Sequence, residues 1–287
     1  MSDWRAALVL VTPALIGFVA FYLYPAVRGI GYSLTDFTLL SGGDWVGLDN
    51  YATLIADEQF WGSMLVTLEY VVINIGVQTL FAIALAVLLQ RFARSMVLRA
   101  VTLMPYLVAN VVVAMVWYWM LDYQLGIVNL ALDALGLDRE AFFGSSALAI
   151  PTIALVNVWR HLGYAALLVF AGLQSIPGEV YEAAEMDGAG PFRTFASITL
   201  PLLRPVLALV LVVTVVGSFQ VFDTVAVTTQ GGPVHATRVI YYYIWELAFE
   251  RSKFGYASAM AVVLFLMLVT VSAVQMRLMR ANQSDLA

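Results

Sequence analysis

The chain of 287 residues has no cysteine. Disulfide staples and cysteine-bound metals are therefore excluded, and the redox compartment cannot be inferred from thiols. Charge is almost as scarce: Asp, Glu, Lys and Arg make up 11% of the residues, with a single lysine, Lys253, and two histidines, His161 and His235. Those histidines lie on different segments, and neither HExxH nor GxxxxGK[ST] occurs. No metal site and no catalytic residue is predicted, and the chain cannot hydrolyse ATP itself. A net charge of -5 gives no nucleic-acid footprint. No internal repeat or low-complexity stretch is visible. What is abundant is apolar: hydrophobic residues make up 62% of the chain and the mean hydropathy is +0.88, far above a soluble domain.

Charge-poor intervals at residues 6–27, 70–90, 100–121, 147–174, 205–222 and 254–276 each approach the ~20 residues needed to cross a hydrocarbon core. The expectation is an all-α integral membrane protein with six transmembrane helices. The first interval is too long for a usual signal-peptide core and lacks a small-residue cleavage site, so it is read as a retained span. Pro105 predicts a kink within the third. Phe60, Trp61, Trp45 and Tyr51 are read as interfacial aromatics, and the run from Tyr241 to Trp245 as an interfacial or partner-facing helix.

Arg5, Arg91, Arg94, Arg99, Arg193, Arg204, Arg277 and Arg280 fall on one side of a six-span arrangement, and most acids on the other. The positive-inside rule then places both termini, and the loop at 175–205, in the cytoplasm. That loop is the one long polar interruption between apolar runs. Glu179, Glu182, Glu185 and Asp187 cluster there. Pro177-Gly178-Glu179 reads as a helix start, Gly188 and Gly190 as its end, and Pro191 as the start of a second helix. Ala183 and Ala184 offer a face that another surface can approach closely, so the loop has the form of a docking element.

Glu182-Ala183-Ala184, Asp187-Gly188-Ala189 and Ile198-Thr199-Leu200-Pro201, with Gly231-Gly232-Pro233 further on, resemble the EAA loop and flanking words of binding-protein-dependent ABC importer permeases, most closely the maltose-type (MalF-like) sugar permeases. The resemblance runs from about Trp61 to Ala273. It implies a type I ABC importer permease fold with a cytoplasmic helical coupling loop: a first span and outer loop at 1–60, a permease core at 61–280 and a cytoplasmic tail at 281–287. It also implies a bacterial inner-membrane location, a second homologous permease subunit in a heterodimer, two ABC subunits that bind ATP and Mg, and an extracytoplasmic solute-binding protein. The chain itself needs no cofactor. Glu182, Ala183, Ala184, Asp187, Gly188, Ala189 and Gly190 are the residues expected to meet the ATPase.

Polar residues inside spans are costly and mark function or pairing. Asn157, Arg160, His161 and Tyr164 lie at i, i+3, i+4 and i+7 on one helical face. Thr214 and Ser218 share a face of the fifth span. The resemblance puts all six on sugar-contact positions, although the maltose permease has uncharged residues at Arg160 and His161, and Val221 replaces a polar family residue. Two readings stand side by side. Either these residues line the path of a small sugar, which Arg160 and His161 would allow to be anionic, or Arg160 is satisfied by an acid such as Asp223 or Glu69 and the hydroxyls bond back to their own helix. Asn74, Gln78 and Asn110 are read as interhelical hydrogen-bond formers, and Asp223 as an ion-pair member or a ligand. The alternative function is an ion-gradient-driven secondary transporter, which would want paired acids at mid-membrane or an inverted repeat.

Overall fold

A computed structural model of the chain describes residues 3–92 and 95–279; the expected tail at 281–287 lies outside them, as do Arg94 and Arg280. Among the described residues the regular structure is helical, apart from two isolated antiparallel bridges, Thr35 with Trp45 and Thr38 with Gly42. Five helical stretches are long and apolar enough to cross a membrane: Leu8–Tyr32, Glu58–Arg91, Ala149–Gln174, Arg204–Thr228 and Phe254–Leu278. This predominance of helix follows from the solvent, because in hydrocarbon each backbone N–H and C=O has to be satisfied within its own segment.

The third expected span is corrected. It is not one kinked helix but two, Met96–Leu107 (α1) and Asn110–Met120 (α2), bent by 89°. The count is six spans only if this pair is taken as one. Pro105 cannot donate a backbone hydrogen bond, and Val108 and Ala109 behind it are extended (ψ 139° and 140°). The chain therefore stops and restarts where a kink was expected.

The chain divides into two compact units, Met1–Phe60 with Tyr243–Leu268, and Trp61–Tyr242 with Val269–Ala287. In the first, Asp57 caps the start of the long helix Glu58–Phe92 (its Oδ1 accepts from the Gln59 N–H at 2.8 Å), and its Oδ2 accepts from the hydroxyls of Tyr256 at 2.7 Å and Tyr243 at 3.1 Å. Burial alone would raise the Asp57 carboxyl. The bonds from Tyr256, Gln59 and Tyr243 outweigh it and hold the group below its ordinary value. The aromatic expectations divide: Trp45, Trp61 and Tyr241 are exposed, whereas Phe60, at 1% exposure, Tyr242 and Tyr243 are buried. An aromatic ring near a span end reads the same in sequence whether it meets headgroups or the core.

In the second unit the helix Ala149–Gln174 (α3) is central and buries fifteen residues, many of them Ala or Gly. Small side chains let neighbours approach, as is common where helices pack in membranes. Gly163 is the tightest point. A Cβ there would collide with the backbone carbonyl of Thr102 on α1. Gly163→Ala should therefore cost about 1–3 kcal/mol through overpacking, read as a lower thermal unfolding midpoint in detergent; an unchanged midpoint would refute this close approach.

Candidate functional site

The second unit encloses a cavity of about 370 Å³, within the size range of small-molecule sites. α3 supplies Asn157, Arg160, His161 and Tyr164; Arg204–Phe219 (α4) supplies Thr214 and Ser218. All six expected residues thus line one space. They are joined by Tyr70, Asn74 and Gln78 from Glu58–Phe92, and by Tyr106, Asn110 and Asp223.

Among the described residues Arg160 forms no salt bridge, although the charge of Asp223 is near enough to act on it. Its Nε and Nη2 donate to the carbonyl of Val108 (3.0 and 2.9 Å), Nη2 also to that of Tyr106 (3.1 Å), and Nη1 to His161 Nε2 (2.8 Å). These bonds take four of the five guanidinium N–H groups. Both carbonyls belong to the frayed end of α1, so the arginine closes the break between α1 and α2. His161 Nε2 must accept, since guanidinium offers no acceptor, and Nδ1 then donates to the carbonyl of Asn157 (2.9 Å). The ring of Tyr106 stacks on Tyr164 (4.6 Å, 11°) and lies under the guanidinium carbon at 5.3 Å.

The remaining polar groups sort themselves in the same way. Ser218 donates back to the Thr214 carbonyl (2.7 Å) and accepts from Asn74 Nδ2 (2.9 Å). Asn157 donates to the Ile153 carbonyl (3.0 Å) and accepts from Thr224 (3.2 Å). Asp223 is in neither ion pair found among the described residues, Arg139 with Asp133 and Arg251 with Glu246. It accepts instead from Asn110 Nδ2 at 2.9 Å.

The loop at 175–205 forms Gly178–Met186 (α5), a sharp turn and the short helix Pro191–Thr194. The turn is a complete Schellman motif: Gly188 N–H reaches the Glu185 carbonyl (3.0 Å), Ala189 N–H reaches that of Ala184 (2.9 Å), and Gly188 has φ +71°. Glu182, Ala183, Asp187, Gly188 and Gly190 are exposed and Ala189 is half-buried. Ala184 differs from what the Ala-Ala pair suggested. It is 4% exposed and faces its own chain, so of the alanine pair Ala183 is the open one. Two residues that sequence reasoning passed over stand out beside the turn, Met186 at 88% exposure and Phe192 at 84%. Large apolar side chains bracketing an acidic turn were the signal that could have found them.

The family model described as binding-protein-dependent transport system inner membrane component matches residues 78–284. The chain belongs to this family. It is a multi-pass inner-membrane transport component and not an enzyme. Its relatives include the sulfoquinovosyl glycerol transport system permease protein SmoG of Agrobacterium fabrum, 32% identical over 98% of this chain and 92% of that protein. The trehalose/maltose transport system permease protein MalF of Thermococcus litoralis is 32% identical over 95% of this chain and 92% of that protein. Among solved structures, a bacterial ABC transporter involved in the import of the acidic polysaccharide alginate superposes with a TM-score of 0.81 at 25% identity, covering 97% of this chain and 96% of the other.

Proposed function

We propose that this family member is the permease subunit of an ABC importer that carries a sugar or sugar derivative across the membrane by alternating access. The observation that carries the reading is the polar cavity within the second unit, lined by Asn157, Tyr164 and Thr214 among others. Relatives named for sulfoquinovosyl glycerol and for trehalose/maltose support sugars as the class. In this reading an extracytoplasmic binding protein delivers the solute, a second permease subunit completes the pathway, and two ABC subunits bind ATP and Mg on the cytoplasmic side. The termini and the loop at 175–205 face those subunits. Glu182 makes the polar contact with the ATPase, while Ala183 and Gly188 allow the close fit. Residues 61–280 act as the transport core, and residues 1–60 add the first span and outer loop.

The test is reconstitution of the purified complex in proteoliposomes, with labelled sugar uptake measured against ATP supply. Uptake should require ATP inside the ATPase-facing compartment and should stop when the ATPase subunit is left out. Uptake driven by a proton or sodium gradient without ATP would replace this reading with a secondary transporter.

A further inference from the structure

Hydrogen-bond roles among the other polar residues of the cavity are fixed by chemistry rather than by choice of amide orientation. The one proton of Ser218 goes to the Thr214 carbonyl (2.7 Å), so the group of Asn74 that faces Ser218 at 2.9 Å must be its NH2. Asn74 Oδ1 is left pointing to no donor, in a side chain that is 4% exposed. The same logic holds at Asn110. A carboxylate only accepts, so the Asn110 NH2 faces Asp223 Oδ2 at 2.9 Å, and Asn110 Oδ1 is left buried without a partner. Asp223 itself is half-buried, and its charge is near enough to act on Arg160. Two open buried acceptors and one carboxylate, on three separate helical segments, thus border one cavity. Its strongest donor, Arg160, has already given four of its N–H groups to Val108, Tyr106 and His161.

Buried acceptors without donors are costly and are satisfied when a donor arrives. A phosphate, sulfonate or carboxylate brings only acceptors and answers neither open amide oxygen. A sugar hydroxyl brings a proton. Resting on the sugar-permease reading above, we infer that Asn74, Asn110 and Asp223 form a hydroxyl-reading wall that selects the uncharged, donor-bearing face of a sugar. Arg160, its N–H groups committed to Val108, Tyr106 and His161, holds the break between α1 and α2 and binds no anion. Asp223 is then a specificity-determining residue that acts by direct contact.

The experiment uses the complete importer in proteoliposomes with four probes on one scaffold: trehalose, its monodeoxy analogues, trehalose 6-phosphate and trehalosamine. Wild type should prefer trehalose to the 6-phosphate by about tenfold or more, the scale of one charge-assisted hydrogen bond. Asp223→Asn keeps an acceptor for Asn110 and so preserves the fold. It should raise KM for trehalose about tenfold. One deoxy analogue should lose a similar factor in wild type and nothing further in the variant. A merely structural Asp223 would instead give losses that multiply across the deoxy series, and that result overturns the proposal. Preference for the 6-phosphate or for trehalosamine overturns it as well. ATP-dependent uptake confined to solutes without sugar hydroxyls would instead defeat the sugar-permease reading, and is told apart by the retained ATP dependence.

Discussion

Gly188→Trp should reduce ATP-driven uptake to background while leaving the permease in the membrane at wild-type amounts. The reason lies in two properties of one residue. Gly188 sits at φ +71°, where an L side chain is disfavoured by roughly 1–2 kcal/mol. Nothing of its own chain lies within 4 Å of a Cβ built there. A side chain at this position therefore does not clash inside the subunit, and instead projects from the exposed tip of the acidic turn. Under the proposed coupling role it lands in the ATPase contact, flanked by Met186 and Phe192. Truncating or blocking a central interface residue commonly costs about 2–4 kcal/mol, or roughly 30- to 1000-fold in complex formation. Asn tolerates left-handed backbone far better than Trp and is small, so Gly188→Asn should keep most of the uptake. The pair separates bulk from strain: co-purified ATPase should be lost with Trp and retained with Asn. Normal uptake and normal ATPase retention by Gly188→Trp would remove the turn from the docking surface.

What the residues disclosed in advance, and what they withheld, follows the range of the interactions concerned. Span positions were legible because the bilayer imposes a local demand: an apolar run of sufficient length and an internally bonded backbone. The polar loop was legible for the opposite reason, and its helix ends were written in Pro177, Gly188 and Pro191, all within one turn of the boundary they set. The break in the third span was not legible. Pro105 announces a weakened helix, yet whether it bends or stops depends on what satisfies the carbonyls of Tyr106 and Val108. That group is Arg160, 52 residues beyond Val108. The Asn110–Asp223 bond spans 113 positions and is equally silent in a local reading. Ala183 and Ala184 show the limit most sharply. They are adjacent and identical, one exposed and the other buried, and only the packing of α5 on its own subunit tells them apart.

Substitution of Arg160 should have the second large effect, and the pattern across three variants carries more than the size of any one. The guanidinium satisfies two carbonyls at the end of α1 through three donor contacts. Arg160→Met removes them all and leaves those acceptors facing an apolar side chain. Hydrogen bonds from a charged donor contribute about 1.5–3 kcal/mol each, so a loss on the order of 3 kcal/mol or more is expected, read as a lower unfolding midpoint in detergent and reduced accumulation in the membrane. Arg160→Lys keeps the charge but has no planar fork with which to reach Val108 and Tyr106 together, and should lie nearer to Met than to wild type. Arg160→Gln retains an amide donor without charge and should perform about as well as Lys. If charge on this residue served to hold an anionic solute, the order would be different: Lys would transport well, Gln poorly, and stability would barely move in either. Measuring uptake and unfolding midpoint on the same three proteins therefore decides between a cap on a broken helix and an anion ligand. A stable, folded Arg160→Met protein would mean that the break between α1 and α2 is held by something other than this side chain.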